Sequence, residues 1–228
     1  VKGKPRIGQC VGKVGNFIAI GLNYSDHAAE AGMPVPKEPI VFNKAPSSIC
    51  GANDGTMIPK GSTKLDWEVE LGIEIGSRTA YLDSPADSAA HIAGYVVCND
   101  VSERAFQMEV SGGQWSKGKA AFGFNPTGPW LVTPDEVEVQ NLRLRSFVNG
   151  EPRQDSNTND MIFSVAEIVH HISQYITLEP GDLILTGTPQ GVAFGGKFPY
   201  LRAGDVVEID IEGLGGQRQE FIAWEAQA

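Results

Sequence analysis

The sequence predicts an α+β fold in which strands outnumber helices. From Trp67 to Ile75 every odd position is apolar and every even position is Glu or Gly, which is the alternation of a strand with one buried face. A similar alternation occupies residues 207–212. Residues 142–148 and 151–155 flank Asn149-Gly150, a pair that accepts positive φ at both central positions of a hairpin turn. No repeat or linker interrupts these signals, so we expect one domain over residues 1–228.

Length, charge and cysteine content exclude several classes of protein. A chain of 228 residues can form a single domain with a sizeable core. Its net charge of -10 is spread along the sequence, which argues against nucleic acid as a partner. No apolar run is long enough to cross a membrane, and the chain begins with Val1, so we expect a leader or N-terminal segment to be absent. Three widely spaced cysteines without a CxxC pair favour a reducing compartment, the cytoplasm, over a disulfide framework or a zinc site.

The segment after the first predicted strand contains a candidate base. Asn23 or Ser25 can cap a short helix that ends at Gly32. Three-residue spacing places His27 and Glu30 on one face of that helix, so Glu30 can orient His27 as a base. The alternative is an ordinary surface pair worth a few tenths of a kcal/mol.

Caps, glycines and prolines predict the remaining elements. Further strands are expected at residues 16–21, 40–44, 93–100 and 183–189, and helices at 84–93, 101–110 and 164–175. Residues 111–129 are rich in glycine and poorly patterned. Together with the polar residues before them, they predict a lid from about Glu103 to Lys119 that is ordered late by a ligand.

Three carboxylates form a candidate cation site. Glu68 and Glu70 share one face of their predicted strand, and Asp100 ends another apolar strand. Neighbouring carboxylates repel one another, so either water screens them on an exposed face or a cation neutralises them. Three oxygen-bearing side chains suit a hard cation such as Mg²⁺. The solvent-exposed face of an amphipathic strand remains the alternative for the two glutamates.

Five motifs in sequence resemble the fumarylacetoacetate hydrolase family, specifically its small bacterial members. These motifs are NYSDHAAE (23–30), DWEVELG (66–72), GYVVCNDVSERAFQ (94–107), KGK (117–119) before NPTGPWLV (125–132), and LTGTPQGV (185–192). SERAFQ followed by a glycine-rich KGK resembles the branch of 2,4-diketo-3-deoxy-L-rhamnonate hydrolases and of proteins called ureidoglycolate lyases. Members of that branch usually carry an additional N-terminal segment, which we do not expect here.

The resemblance implies a fold, a metal and roles for the site residues. The family fold is a mixed β-sandwich or roll with short flanking helices, normally a homodimer. Glu68, Glu70 and Asp100 would bind Mg²⁺ or Mn²⁺, with Ca²⁺ able to take their place in a crystal. The remaining roles are carried over by position: His27, oriented by Glu30, would activate water, Lys119 would steady negative charge, Arg104 and Gln107 would contact the substrate, and Thr188 would receive its carboxylate.

The reaction that these roles imply is hydrolysis of a carbon–carbon bond in a 2,4-dioxo acid, an acylpyruvate or a diketo-deoxy sugar acid, through a pyruvate enolate. The rivals are decarboxylation or tautomerisation of an oxaloacetate-like acid, isomerisation of a 2-oxo diacid, and ureidoglycolate lyase activity. A non-catalytic protein with a structural cation is a further alternative. The chain departs from the family pattern at Ala105, where many members have Asp, and at Ala120 and Gly123, where many have Ser and Asp. These departures concern the substrate and leave the three carboxylates unchanged.

Overall fold

A computed structural model describes Gly3 and residues 5–224. The outermost residues of the predicted 1–228 domain, residues 1, 2, 4 and 225–228, lie outside the described part. In chain order the strands are β1 (Phe17–Gly21), β2 (Ile40–Asn43), β3 (Ile49–Gly51), β4 (Thr56–Met57), β5 (Leu65–Asp66), β6 (Val69–Ile75), β7 (Ile92–Asn99), β8 (Ser102–Glu103), β9 (Asn125–Thr127), β10 (Arg143–Val148), β11 (Glu151–Asn157), β12 (Leu183–Leu185), β13 (Val206–Ile211) and β14 (Gly215–Ile222).

The helices are short and few. The α-helices are α1 (Ser25–Glu30), α2 (Ser116–Lys119) and α3 (Val165–Ser173), and a π-helical turn covers Ala105–Glu109. The 3-10 turns are Pro46–Ser48, Pro85–His91, Pro134–Glu136, Val139–Asn141, Thr158–Asp160 and Ala193–Gly195. Within the described residues, no helix combines the length and the apolar character needed to cross a bilayer.

The strands form a mixed β-sandwich, which confirms the predicted strand-rich α+β class. A seven-stranded sheet has the order β2-β1-β12-β6-β7-β9-β3, and a five-stranded sheet has the order β11-β10-β13-β14-β4. β5 and β8 form a separate pair. In the large sheet β1 is parallel to β12 and β3 to β9, while the central pairs are antiparallel.

The apolar residues of β6 fill the space between the two sheets. Val69, Leu71, Ile73 and Ile75 are buried in one cluster with the inward-facing residues of β10, β13 and α3. A second cluster covers the other face of the large sheet and includes Val11 from the N-terminal segment. β6 is therefore buried on both faces, so the polar residues on its second face are also removed from water.

The pairing of β6 with β7 places the candidate cation ligands next to one another. In this antiparallel pair Val69 lies opposite Asn99, and the Asp100 N–H donates to the Glu68 carbonyl at 2.9 Å. Glu68 and Asp100 are thus cross-strand neighbours. Glu70 lies two residues along on the same face, because side chains alternate with period two.

Some local predictions are wrong. Tyr24, rather than Asn23 or Ser25, is the N-cap of α1, and no side chain caps that helix. The Asn23 side chain instead contacts the backbone of Phe163 and Thr186. The helix expected at 101–110 begins only at Ala105, because Ser102–Glu103 pairs with β5. In each case a contact with a distant segment replaces the local preference.

The predicted hairpin and the helix after Ser164 are confirmed. Asn149 and Gly150 have φ of 53° and 80° between β10 and β11, as a two-residue turn with positive φ requires. Ser164 caps α3 in a capping box with Glu167. The helix expected at 84–93 is also present, as the 3-10 turn Pro85–His91.

Candidate active site

Glu68, Glu70 and Asp100 form one buried cluster. Each offers a carboxylate oxygen, and these oxygens all lie within 4.8 Å of one another. The three residues are at most 3% exposed, so the exposed-strand alternative for the glutamates does not apply. Because water cannot screen buried carboxylates, the cluster requires positive charge nearby.

Two lysines and one arginine supply part of that charge. The Lys119 Nζ lies 2.7 Å from both the Glu68 Oε2 and the Asp100 Oδ2. The Lys44 Nζ donates to the other oxygen of Asp100, and the Arg104 Nη2 donates to the Glu68 Oε1 at 2.7 Å. Glu68 and Asp100 are thus each held by two cations.

Within the described part of the chain, no cationic side chain forms an ion pair with Glu70. Its Oε2 accepts the Gly187 N–H at 2.9 Å. Burial, followed by the charges of Asp100 and Glu68, holds the pKa of Glu70 well above its ordinary value. For Glu68 burial acts in the same direction, but Lys119 and Arg104 outweigh it and hold its pKa below the ordinary value. The cluster therefore favours one further positive charge beside Glu70.

A divalent cation fits this donor set. The three carboxylates are hard oxygen ligands of the kind that Mg²⁺, Mn²⁺ and Ca²⁺ take, and they supply only part of an octahedral shell. Among the described residues, a hydrogen bond reaches the Oε2 of Glu70 but none reaches its other oxygen. Glu68, Glu70 and Asp100 are consequently the residues that would hold the ion.

His27 and Glu30 lie beside the carboxylates. The His27 Nδ1 is 3.4 Å from the Glu30 Oε2, and the His27 side chain is 8% exposed. Glu30 is fixed from the other side by the Gly191 N–H, which is 3.1 Å from both of its oxygens. With Nδ1 facing Glu30, Nε2 is the ring nitrogen that can serve as a base. The surface-pair alternative is wrong for these partners, because His27 is buried.

Backbone N–H groups in residues 187–194, the segment after β12, donate hydrogen bonds to three carboxylates. The N–H of Gly187 binds Glu70, that of Gly191 binds Glu30, and those of Ala193 and Phe194 bind Asp66 at 2.8 and 3.0 Å. Residues 187–194 therefore fix a candidate ligand and the partner of a candidate base at the same time.

Asp66 and Lys44 are polar residues of the site that the sequence did not assign to it. Asp66 is fully buried and accepts the Arg104 Nε–H at 2.8 Å. Lys44 has a buried ammonium on Asp100, and burial, only partly offset by Asp100, lowers the pKa of Lys44. For Lys44, its position directly after the strand Ile40–Asn43 was the available signal.

A cavity of about 40 Å³ opens onto this cluster, which is room for one or a few water molecules. It brings together the predicted residues His27, Glu68, Glu70, Arg104, Gln107, Lys119 and Thr188. Glu30 and Asp100 do not line the cavity, but Glu30 contacts His27 and Asp100 contacts Lys119. The apolar part of the lining consists of Ile20, Gly21, Leu22, Ala31, Met33, Phe42, Met108, Trp115 and Phe194.

The polar residues expected to contact a substrate are already engaged. The Gln107 Oε1 accepts from the Arg104 Nη1 at 3.0 Å. The Thr188 hydroxyl donates to the Val69 carbonyl at 2.9 Å and accepts from the Gln154 Nε2 at 2.8 Å. The residue roles carried over from the resemblance remain predictions, but these contacts define the starting geometry on which they would act.

The predicted lid is anchored at both ends. Glu103 is fully buried and accepts the backbone N–H groups of Thr63, Lys64 and Phe106. At the other end Lys119 is buried on the carboxylates. The exposed part runs from Glu109 to Gln114, interrupted by Ser111, so any opening is confined to a shorter segment than the sequence suggested.

Comparison with known proteins supports the resemblance. Residues 16–222 match the C-terminal domain of fumarylacetoacetate hydrolases. A Burkholderia multivorans protein with the provisional name of a hydrolase is 58% identical over 222 residues, which cover 96% of this chain and 78% of that protein.

Two solved structures are similar in fold and sequence but have different names. One is 2-hydroxyhepta-2,4-diene-1,7-dioate isomerase from Mycobacterium marinum, with a TM-score of 0.81 and 37% identity, covering 92% of this chain and 75% of that one. The other is a fumarylacetoacetate hydrolase from Exiguobacterium antarcticum, with a TM-score of 0.83 and 40% identity, covering 91% and 75%. From these matches, this chain belongs to the fumarylacetoacetate hydrolase family.

Proposed function

We propose that this protein is a divalent-metal-dependent hydrolase that cleaves the carbon–carbon bond between C3 and C4 of a 2,4-dioxo acid. The observation that carries the proposal is the cluster of Glu68, Glu70 and Asp100 with the His27–Glu30 pair on the same cavity. Glu68, Glu70 and Asp100 would hold Mg²⁺ or Mn²⁺, and the ion would supply a Lewis acid for enolate charge on the departing pyruvate.

His27 acts as the base. Its Nε2 accepts a proton from water as the water oxygen attacks C4, and Glu30 stabilises the imidazolium that results. The bond between C3 and C4 then breaks, with C4 leaving in a carboxylic acid and its electron pair remaining in the pyruvate enolate. Protonation of the enolate at C3 completes pyruvate. The atoms of one water molecule are thereby divided between the two products.

Lys119 and Arg104 contribute fixed positive charge. Burial acts to lower the pKa of Lys119, but the charges of Asp100 and Glu68 outweigh burial. The net effect is a pKa above the ordinary value for lysine. The Lys119 ammonium lies against these carboxylates and can steady negative charge on the substrate. Arg104 and Gln107 lie on the segment that closes the cavity and can orient the 2,4-dioxo acid there.

Isomerisation of a 2-oxo acid is the second candidate, favoured by the isomerase name of the M. marinum structure. It uses the same enolate and requires His27 only to move a proton between carbon atoms. Decarboxylation of oxaloacetate likewise needs the enolate but no attacking water.

A substrate panel separates these reactions. Acetylpyruvate, a diketo-deoxy sugar acid, oxaloacetate, ureidoglycolate and a hydroxy-diene-dioate are each incubated with and without Mg²⁺, and products are identified by NMR. We expect pyruvate and a second acid from acylpyruvates, with Mg²⁺ required. Mg²⁺-dependent turnover of oxaloacetate or the diene-dioate alone would replace hydrolysis by the corresponding rival.

The variant His27→Ala tests the base directly. We expect kcat for acylpyruvate cleavage to fall by about 10² to 10⁴, the usual contribution of a positioned base, while Mg²⁺ affinity is retained. Decarboxylation of oxaloacetate should suffer less. Cleavage within a factor of about three of the parent protein, with metal still bound, would remove His27 from this role.

A further inference from the structure

Apart from the charged cluster, Gln107 and Thr188, the cavity beside the carboxylates is lined by apolar residues. Its apolar lining comes from the end of β1, the loop after α1, β2, the segment Ala105–Lys119 and the turn at Phe194. Five separate parts of the chain thus contribute carbon surface. Such a lining binds alkyl groups and disfavours charged ones.

The cations of the cavity are already paired. Arg104 donates to Asp66, Glu68 and Gln107, and Lys119 donates to Glu68 and Asp100. Among the described residues that line the cavity, these two are the cations, apart from His27 on Glu30. A second carboxylate on a substrate would therefore be buried against carbon without a partner, or would take a cation away from the ligands.

Part of the apolar lining is rigid. The Trp115 ring packs on Gly21, where a Cβ atom would lie 2.3 Å from the ring, so a larger residue at position 21 would displace the ring. Trp115 also meets the Phe42 ring edge-on, with 5.5 Å between centroids. This wall has a fixed position as long as the lid is closed.

Another part can adapt. Met33 and Met108 are half-buried, and they come from the loop after α1 and from the π-helical turn. Methionine side chains are unbranched and flexible, so they can move to enlarge the cavity of about 40 Å³ for groups of different length. A rigid aromatic wall with two methionines suits an alkyl chain of variable length better than a group with fixed polar contacts.

We infer that the distal end of the substrate is an uncharged alkyl group, and that this protein acts on monocarboxylic acylpyruvates and discriminates against substrates that end in a second carboxylate. The reaction named in this inference rests on the proposed function. The preference for an uncharged distal group does not, because it follows from the cavity lining alone. It also separates this chain from the M. marinum structure, whose name specifies a dioate.

The preference is measured with two acids that the enzyme cannot hydrolyse. 2-Oxohexanoate and 2-oxoadipate have the same number of carbon atoms and differ in a terminal methyl against a terminal carboxylate. Their Kd values are measured by calorimetry in saturating Mg²⁺. We expect 2-oxohexanoate to bind at least about 10-fold more tightly, because an unpaired buried charge is costly. Equal binding, tighter binding of 2-oxoadipate, or no binding of 2-oxohexanoate would each overturn the inference.

A charge placed in the cavity should reverse the preference. Met108→Arg supplies a cation to the apolar lining, so we expect 2-oxoadipate to gain about 10-fold and 2-oxohexanoate to lose affinity. Tyr175→Arg adds the same charge at a side chain that is 72% exposed and outside the cavity lining, and should change neither Kd. If both arginine variants act alike, the terminal group does not lie against Met108 and the inference is wrong.

Turnover distinguishes this inference from the proposed function. Pyruvate release from butanoylpyruvate and from succinylpyruvate is compared under the same conditions. Equal rates for the two would contradict the apolar preference and leave hydrolysis intact. No cleavage of either, with 2-oxohexanoate still the tighter ligand, would remove hydrolysis and retain the preference.

Discussion

The Arg104 Nε donates to the Asp66 Oδ2 at 2.8 Å, and neither side chain is more than 4% exposed. The same aspartate accepts the backbone N–H groups of Ala193 and Phe194, and the Phe194 ring lies 5.1 Å from the Arg104 guanidinium carbon. Asp66 therefore joins the start of the lid to the segment after β12 that holds Glu70 and Glu30.

Replacing Asp66 tests this connection. In Asp66→Asn one acceptor oxygen becomes a donor, so either Arg104 or a backbone N–H loses its partner. We expect kcat/KM to fall about 10- to 100-fold, the effect of one buried charge-assisted hydrogen bond. Mg²⁺ affinity should change by less than about 3-fold, because the three ligands are unchanged.

Asp155→Asn is the matched control. Asp155 also pairs with an arginine, Arg143, but both side chains are more than half exposed, and exposed pairs contribute little. Asp155→Asn should therefore behave like the parent protein. If Asp66→Asn is equally silent, Asp66 does not position Arg104 for the reaction.

The raised pKa of Glu70 predicts how stability depends on pH in the presence of EDTA. The folded protein binds the Glu70 proton more tightly than the unfolded chain does, because the pKa of this side chain is raised from its ordinary value of 4.5 on folding. Stability is therefore lost as pH rises above that value. In Glu70→Gln this loss disappears, so the Tm of the variant should exceed that of the parent, and by more at pH 8 than at pH 5.

Added Mg²⁺ should reverse the order of stability. The parent protein gains stability on binding the ion, whereas Glu70→Gln lacks a ligand and should gain much less. Glu74→Gln, on the same strand but outside the cluster, is the control and should keep the response to Mg²⁺. If the Tm difference between Glu70→Gln and the parent does not vary with pH, the neighbouring carboxylates do not raise the pKa of Glu70.

Limited proteolysis can measure how often the lid opens. Val110 is 75% exposed and lies within the part of the lid that lacks buried anchors, so thermolysin should cleave there. Oxalate with Mg²⁺ imitates the enolate of pyruvate and should slow cleavage, by up to about 100-fold at a hundred times its Kd. Identical rates with and without oxalate would indicate that this segment does not respond to the site.

The positions of several strands could be predicted from the sequence, but, beyond the hairpin, the pairing between the strands could not. Alternation identified β6 and β13, and the Asn149-Gly150 pair identified the hairpin, because those signals are local. The sequence could place Glu68 and Glu70 on one face. Their proximity to Asp100 depends on the register of β6 against β7, which no local pattern specifies.

The residues missed by sequence reasoning act over long separations. Lys44 reaches Asp100 across the sheet, and Asp66 binds the backbone of residues 193 and 194. Asn23 was expected to cap α1, but its side chain is used by Phe163 and Thr186. Such partners become visible only once the chain is folded, because the local sequence is equally compatible with an exposed side chain.

The most direct test of the central claim is the fate of acetylpyruvate with protein stripped of metal by EDTA and then supplied with Mg²⁺. If Glu68, Glu70 and Asp100 hold a catalytic ion for hydrolysis, NMR should show no turnover before Mg²⁺ is added and equal amounts of acetate and pyruvate afterwards. Full cleavage by the stripped protein, or Mg²⁺-dependent loss of acetylpyruvate without acetate, would contradict the account.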